Sequence, residues 1–159
     1  GRVQGVALGG GAGLVACLDH VIAEPNTKIA LSEVKLGILP AVIGPYVYKR
    51  LGSANFRRLS MLAGKIDSNE ALRVGFIDQL VDSESSLATA SVEVAEEILR
   101  SAPIAVSKVK HLTSRLDHWD GTDEQLRSWT LDLTSEMRAS AEGQEGLSAF
   151  LEKRDPSWK

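Results

Sequence analysis

Apolar and polar positions along this chain change their rhythm partway through. The opening is a series of short apolar bursts broken by glycine and proline. "RVQGVAL" reads as one strand, rich in β-formers and too short for a helix of its own. Three glycines follow, and "AGLVACLD" then continues as a buried helix. "HVIAEP" reads as a second short strand stopped by Pro25-Asn26, and "KIALS" as a third. "SEVKLGILP" holds a single helical turn closed by Gly37 and Pro40. From there the period becomes helical. "GPYVYKRLG" has Pro45 in the first turn and Gly52 as a stop, and "SANFRRLSMLAG" runs from a Ser53 cap to Gly64. In "DSNEALRVG", Asp67 and Glu70 have capping-box spacing. "FIDQLVD" is a last short strand. Beyond it Leu87, Val94, Ala95 and Ile98 make one helical stripe, and Leu126, Trp129, Leu133 and Met137 make another. A helix started by Pro103 lies between them, and "EGLSAFLEKR" forms a terminal one. Alternating strands and helices followed by helices alone predict an α/β core with an α-helical C-terminal module. Residues 1–100 are assigned to the core and 101–159 to the module; the one weak boundary in composition is "DHWDG" (117–121), where a compact α/β layer could give way to a helical extension.

Composition narrows the classes. The chain has 159 residues, 43% hydrophobic and 25% charged, as an ordinary globular domain has. A net charge of −3 gives no basic footprint for nucleic acid. Arg57-Arg58 and the Lys108/Lys110 pair read as solvated helix faces. No apolar run reaches the roughly 18 residues of a membrane span, and no signal-peptide pattern is present. The single cysteine, Cys17, excludes an internal disulfide framework and reads as a small buried hydrophobe. The expected setting is cytoplasmic, with an organelle matrix as the alternative. His20, His111 and His118 form no metal-like constellation, and Tyr46 and Tyr48 read as packing residues.

Two features carry candidate chemistry. Glycine costs roughly 0.5–1 kcal/mol relative to alanine inside a regular element, so Gly9, Gly10 and Gly11 together imply that bare backbone is wanted there. A helix N-terminus carries unpaired N–H groups and partial positive charge, suited to a phosphate or to a carbonyl oxygen that becomes an oxyanion. "GGGAG" lacks the Lys-Ser/Thr of a P-loop and the G-x-G-x-x-G spacing of dinucleotide binders. Close helix–strand packing is the other explanation of the glycines. The second feature is Glu33, a carboxylate between Leu31 and Val34 in a mostly apolar segment. Such a group, walled by aliphatics, can exchange protons near neutrality; alternatively it is a surface residue capping the turn after Ser32.

"GVALGGGAGLVACLDHVIAEPNTKIALSEVKLGILP" closely resembles the enoyl-CoA hydratase/isomerase (crotonase) family. The shared pattern is a strand, A-L-G-G-G, a helix ending in C-x-D, two strands, and E-x-x-L-G-x-x-P. "LAGKIDSNEALRVGFIDQLVD" and "EGLSAFLEKRDPSW" resemble the segments that follow in the family, so the similarity runs nearly end to end. The resemblance implies a crotonase-like spiral core with a helical module that assembles trimers or hexamers. It implies an acyl-CoA thioester whose carbonyl oxygen sits on the Gly10 N–H, flanked by Gly9 and Gly11, with Glu33 as the catalytic acid. Pro40, Ala41, Val42, Ile43 and Gly44 would border the acyl group, and Phe150 and Lys153 would contact coenzyme A. Coenzyme A would arrive as part of the substrate, with no separate cofactor and no metal.

Two departures qualify the match. Family hydratases carry two glutamates; the second matches Glu33 and the first falls on Gly13, which has no side chain. Members also begin well upstream of Gly1, in a part supplying the other oxyanion donor, so the chain resembles the later part of a longer protein. The branch most similar is that of methylglutaconyl-CoA hydratases and related branched or carboxylated enoyl-CoA hydratases. Hydration of a 2-enoyl-CoA is the expected activity. Double-bond isomerisation by Glu33 alone, and an inactive assembly subunit, are the alternatives.

Overall fold

A computed structural model describes all residues from Gly1 to Lys159. It divides into two compact units, Gly1–Glu93 and Val94–Lys159.

The first unit is a mixed α/β body. Its opening segment is not one strand but two, β1 (Arg2–Val3) and β2 (Val6–Leu8), in different sheets. Gly5 makes the corner with φ of 69°, a conformation open to glycine. The same corner is turned a second time between β3 (Ile22–Ala23) and β4 (Lys28–Ala30). A buried carboxylate joins the two turns. Glu24 accepts N–H bonds from Gly5 at 3.0 Å and from Asn26 at 2.7 Å, while Thr27 Oγ1 donates to Val3 O at 3.1 Å. β1 therefore pairs in parallel with β3, and β2 with β4, each pair in its own sheet. Local pattern missed the corner because every side chain through it is compatible with a strand.

Two further strands finish the sheets. β5 (Ile66–Asp67), which periodicity did not reveal, runs antiparallel to β4, and β6 (Gln79–Leu80) runs parallel to β3. The helices pack around them. α1 (Gly10–Ala16) begins inside the glycine triplet. A 3₁₀ turn (Glu33–Leu36) ends at Gly37, whose φ is 75°. α2 (Gly44–Leu62) is broken at Gly52 (φ 72°, ψ 167°), where the stop was expected. It closes on Ala63 rather than Gly64, with Ala63 itself left-handed. α3 (Ser68–Arg73) is capped by Asp67, which accepts the Glu70 N–H at 2.9 Å. The return half of that capping box is absent, because the Glu70 carboxylate binds Arg73 and Arg58 instead. The core beneath is Val21, Ile29, Leu31, Val47, Phe76 and Ile77 with their neighbours. Arg50 ties its rim together, donating to Leu18 O, Gly75 O and Asp78. Cys17 is exposed rather than buried: it caps the short α1, so its side chain falls past the packed face.

α4 (Ser86–Leu99) begins in the first unit and ends in the second. Of its expected stripe Leu87 is buried, whereas Ile98 is half exposed. The second unit continues with α5 (Pro103–Asp117), α6 (Asp123–Ala139) and α7 (Ala141–Glu152). Residues 117–121 close α5 and lead into α6. α6 opens with a complete capping box between Thr122 and Gln125. The Glu142 carboxylate accepts the Ile104 and Ala105 amides at 2.9 and 2.8 Å, satisfying the free donors at the start of α5. α7 lies so close to the end of α6 that a Cβ on Gly143 would stand 2.1 Å from Met137 O. Leu126, Trp129, Leu133 and Met137 are half-buried along α6.

Candidate functional site

β2 delivers the chain to Gly9, and Gly9 turns it sharply into α1. Its φ of 49° and ψ of −117° are held by its N–H donating to Ala30 O at 3.1 Å. Its own carbonyl accepts the Gly13 N–H at 3.1 Å. The amides of Gly10, Gly11 and Ala12 precede that first helical bond and are the orphan donors of the N-terminal turn. A Cβ on Gly10 would meet nothing within 4 Å, so the space before this turn is open.

Glu33 arrives at the same place from the neighbouring strand. β4, which holds Gly9 through Ala30, passes through the buried Leu31 and the half-buried Ser32 into the 3₁₀ turn. Glu33 Oε1 lies 3.5 Å from where a Gly9 Cβ would stand. Its other oxygen, Oε2, is buried and has no hydrogen-bond partner. Buried polar atoms are nearly always paired, and a catalytic role is one explanation of an exception. Ser32 makes no side-chain cap to the turn. The arrangement therefore joins free backbone donors, an unpartnered carboxylate oxygen and open space. It can hold a developing negative charge on one side and move a proton on the other.

The structure also accounts for Gly13. A Cβ there would stand 2.4 Å from Ile43 Cγ2 and 2.9 Å from Ile43 Cβ. Ile43, the residue that opens α2, is buried and fills the space where a side chain at position 13 would go. The sequence held a hint of this, an aliphatic residue at the mouth of a helix, but not which glycine it faced.

The remaining expected residues are dispersed. Pro40 is buried, Ala41 is exposed, and Val42 points to solvent with 87% of its surface exposed. Phe150 and Lys153 lie in the second unit. Phe150 is 80% exposed, so it does not anchor the last helix within the chain. Lys153 caps α7 in the left-handed conformation, φ 56°, and Glu152 pairs with Arg154. Tyr46 and Tyr48 are about half exposed, Tyr48 with its ring edge against Phe56. No group of three or more His, Cys, Asp or Glu side chains is arranged to hold a metal ion. No helix is long and apolar enough to cross a membrane.

Comparison with known proteins places this geometry. The family model described as enoyl-CoA hydratase/isomerase matches residues 1–159. A carnitinyl-CoA dehydratase from Citrobacter koseri is 35% identical over 161 aligned residues, covering 99% of this chain and 61% of that protein. The crystal structure of an enoyl-CoA hydratase from Shewanella pealeana superposes with a TM-score of 0.89 at 39% identity, covering 99% of this chain and 58% of its own. An enoyl-CoA hydratase/isomerase from Marinobacter aquaeolei gives a TM-score of 0.86 at 34% identity, covering 99% and 60%. The chain thus spans about 60% of the length of the relatives it matches. With the model matched from end to end and the fold superposed on solved members, this chain belongs to the enoyl-CoA hydratase/isomerase family and has the crotonase fold.

Proposed function

We propose that the polypeptide carrying this chain adds water to the double bond of a 2-enoyl-CoA thioester. The observation that carries the reading is Glu33 Oε2, buried and unpartnered beside the open turn at Gly9 and Gly10. In this reading the thioester oxygen accepts the Gly10 N–H. Water adds to the β-carbon, its proton passing to Glu33, and the electron pair of the double bond moves onto the thioester as an enolate. The backbone donor stabilises that charge as it forms, and Glu33 returns a proton to the α-carbon. A single oxyanion donor is worth about 2.7–4 kcal/mol of barrier, enough to decide whether such a site works. The carnitinyl-CoA dehydratase relative bears the name of the reverse process, loss of water from an acyl-CoA. A branched or carboxylated acyl group, as in methylglutaconyl-CoA, is the proposed substrate class, and coenzyme A enters only as part of it. The proposed setting is cytoplasmic. Assembly as trimers or hexamers is proposed through the helical module, whose Phe150 and Leu151 expose about four-fifths of their surface.

One observation favours a second reading. Ile43 fills the space beside Gly13, so no second carboxylate can stand there to hold water. A lone Glu33 would then shuttle a proton between two carbons and move the double bond. One experiment tests both. The complete polypeptide is given crotonyl-CoA and a 3-enoyl-CoA in ¹⁸O-labelled water. Loss of the conjugated-thioester absorbance with ¹⁸O in the product supports hydration. Gain of that absorbance from the 3-enoyl substrate without label supports isomerisation. Turnover of neither removes both.

A further inference from the structure

A second concavity opens on the far side of the Glu33 turn. It lies between the loop after the turn and the broken helix α2, with a volume of about 560 Å³. Leu39, Pro40, Phe56 and Met61 supply apolar walls. Four polar side chains interrupt them, Tyr48, Ser53, Arg57 and Ser60, and the last two bear on what the groove could hold.

Neither Ser60 nor Arg57 has a partner within the chain. A helical hydroxyl either points to solvent or bonds back to the preceding turn. Ser91 donates to Ala88 O, Thr113 to Val109 O and Ser135 to Leu131 O, at 2.7–2.9 Å. Ser60 does not, although it is only 8% exposed and its Oγ is fully buried. A buried hydroxyl without a partner is an exception that needs an explanation, and a ligand oxygen is one. Arg58 pairs with Glu70 and Arg50 with Asp78. Arg57 forms no ion pair and lines the same groove as Ser60. An O–H donor at the buried end and an uncommitted guanidinium beside it match the two oxygens of a carboxylate. The apolar walls match the carbon chain leading to it.

The groove adjoins, through neighbouring residues, the segment that carries Glu33. Val34, the residue after Glu33, lines it, as do Ala41 and Gly44 on either side of the Ile43 that packs on Gly13. We propose that this groove receives the distal end of the acyl group and that Ser60 and Arg57 select an acyl chain ending in a carboxylate. The assignment rests on the acyl-CoA reading of the Gly10–Glu33 site and names the residues that set its substrate class.

The test uses the complete polypeptide and three 2-enoyl-CoA thioesters of equal length, ending in a methyl, a carboxylate or a trimethylammonium group. The expected order of kcat/KM is carboxylate, then methyl, then trimethylammonium. The carboxylate-to-methyl ratio should fall roughly 10–100-fold in Ser60→Ala or Arg57→Gln, the range of a charge-assisted hydrogen bond. Equal ratios in wild type and both variants overturn the proposal. A second measurement is independent of turnover: amide chemical shifts during titration with glutarate. Shifts centred on Ser60 and Arg57, lost in Arg57→Gln, support the groove even if no thioester reacts, and then only the acyl-CoA reading fails. No shift at these residues overturns the groove, whatever the thioesters do.

Discussion

Gly10 and Gly13 stand in the same helix, yet substituting them should have opposite consequences. Gly10→Val places its side chain in space where a Cβ meets nothing within 4 Å. Gly10 is not in the left-handed region, so a branched side chain meets no backbone strain. Folding stability should therefore stay within about 0.5 kcal/mol of wild type, as for substitutions away from packed features. The same side chain fills the approach of the thioester to the Gly10 amide. Losing one oxyanion contact costs about 2.7–4 kcal/mol, or roughly 10²–10³-fold in rate. Gly13→Ala should do the reverse at first order. Its Cβ would stand 2.4 Å from Ile43 Cγ2, and overpacking a core contact costs typically about 1–3 kcal/mol. Urea melts followed by far-UV circular dichroism give the stabilities, and initial rates of conjugated-thioester loss give the activities. The reasoning is refuted if Gly10→Val turns over an enoyl-CoA at the wild-type rate. It is equally refuted if Gly10→Val destabilises the fold as much as Gly13→Ala does.

Glu33→Gln should lower kcat by roughly 10²–10⁴-fold, the contribution of a positioned acid–base group. Its melting midpoint should not fall, because the carboxylate oxygen Oε2 has no partner to lose. Gly13→Glu alone should unfold or inactivate the protein against Ile43, whereas Gly13→Glu with Ile43→Gly should recover stability measured by the same melts. Glu24→Gln should cost about 1–3 kcal/mol, since the Gly5 and Asn26 N–H groups bond to separate carboxylate oxygens and one of these becomes an NH₂ donor. The N–H bonds of Gly5 and Asn26 hold the Glu24 carboxyl below its ordinary 4.5, so the folded state binds fewer protons than the unfolded one. Its contribution is thus full above about pH 4.5 and lost as pH falls through the lowered folded value. Urea midpoints against pH should show an acid limb in wild type that is shallower in Glu24→Gln. Phe150→Ala should leave chain stability within about 0.5 kcal/mol, given its 80% exposure, and any effect should appear in sedimentation or in coenzyme A affinity.

Local sequence carried much of this. Alternation and breakers identified the strands at Ile22–Ala23 and Lys28–Ala30, the turn at Glu33–Leu36 and the break at Gly52, because each depends on neighbouring residues alone. The glycine triplet and the acid in an apolar segment were visible as separate oddities, and the family motifs joined them into one site. The corner at Gly5 escaped because what bends it is Glu24, a carboxylate distant in sequence that accepts the Gly5 amide. β5 escaped because two residues have no period, and only β4 beside them makes them a strand. The exposure of Cys17 followed from where α1 ends.

Residue type and spacing by themselves determined that a side-chain-free helix start and a carboxylate would exist, since each is a property of a few adjacent residues. Only the tertiary structure decided that β2 and β4 lie side by side, which brings Gly9 within reach of Glu33. The same packing set Ile43 against Gly13 and left Ser60 facing a groove without a partner. Distances between segments depend on how sheets and helices close on one another, and no stretch of the chain encodes that alone.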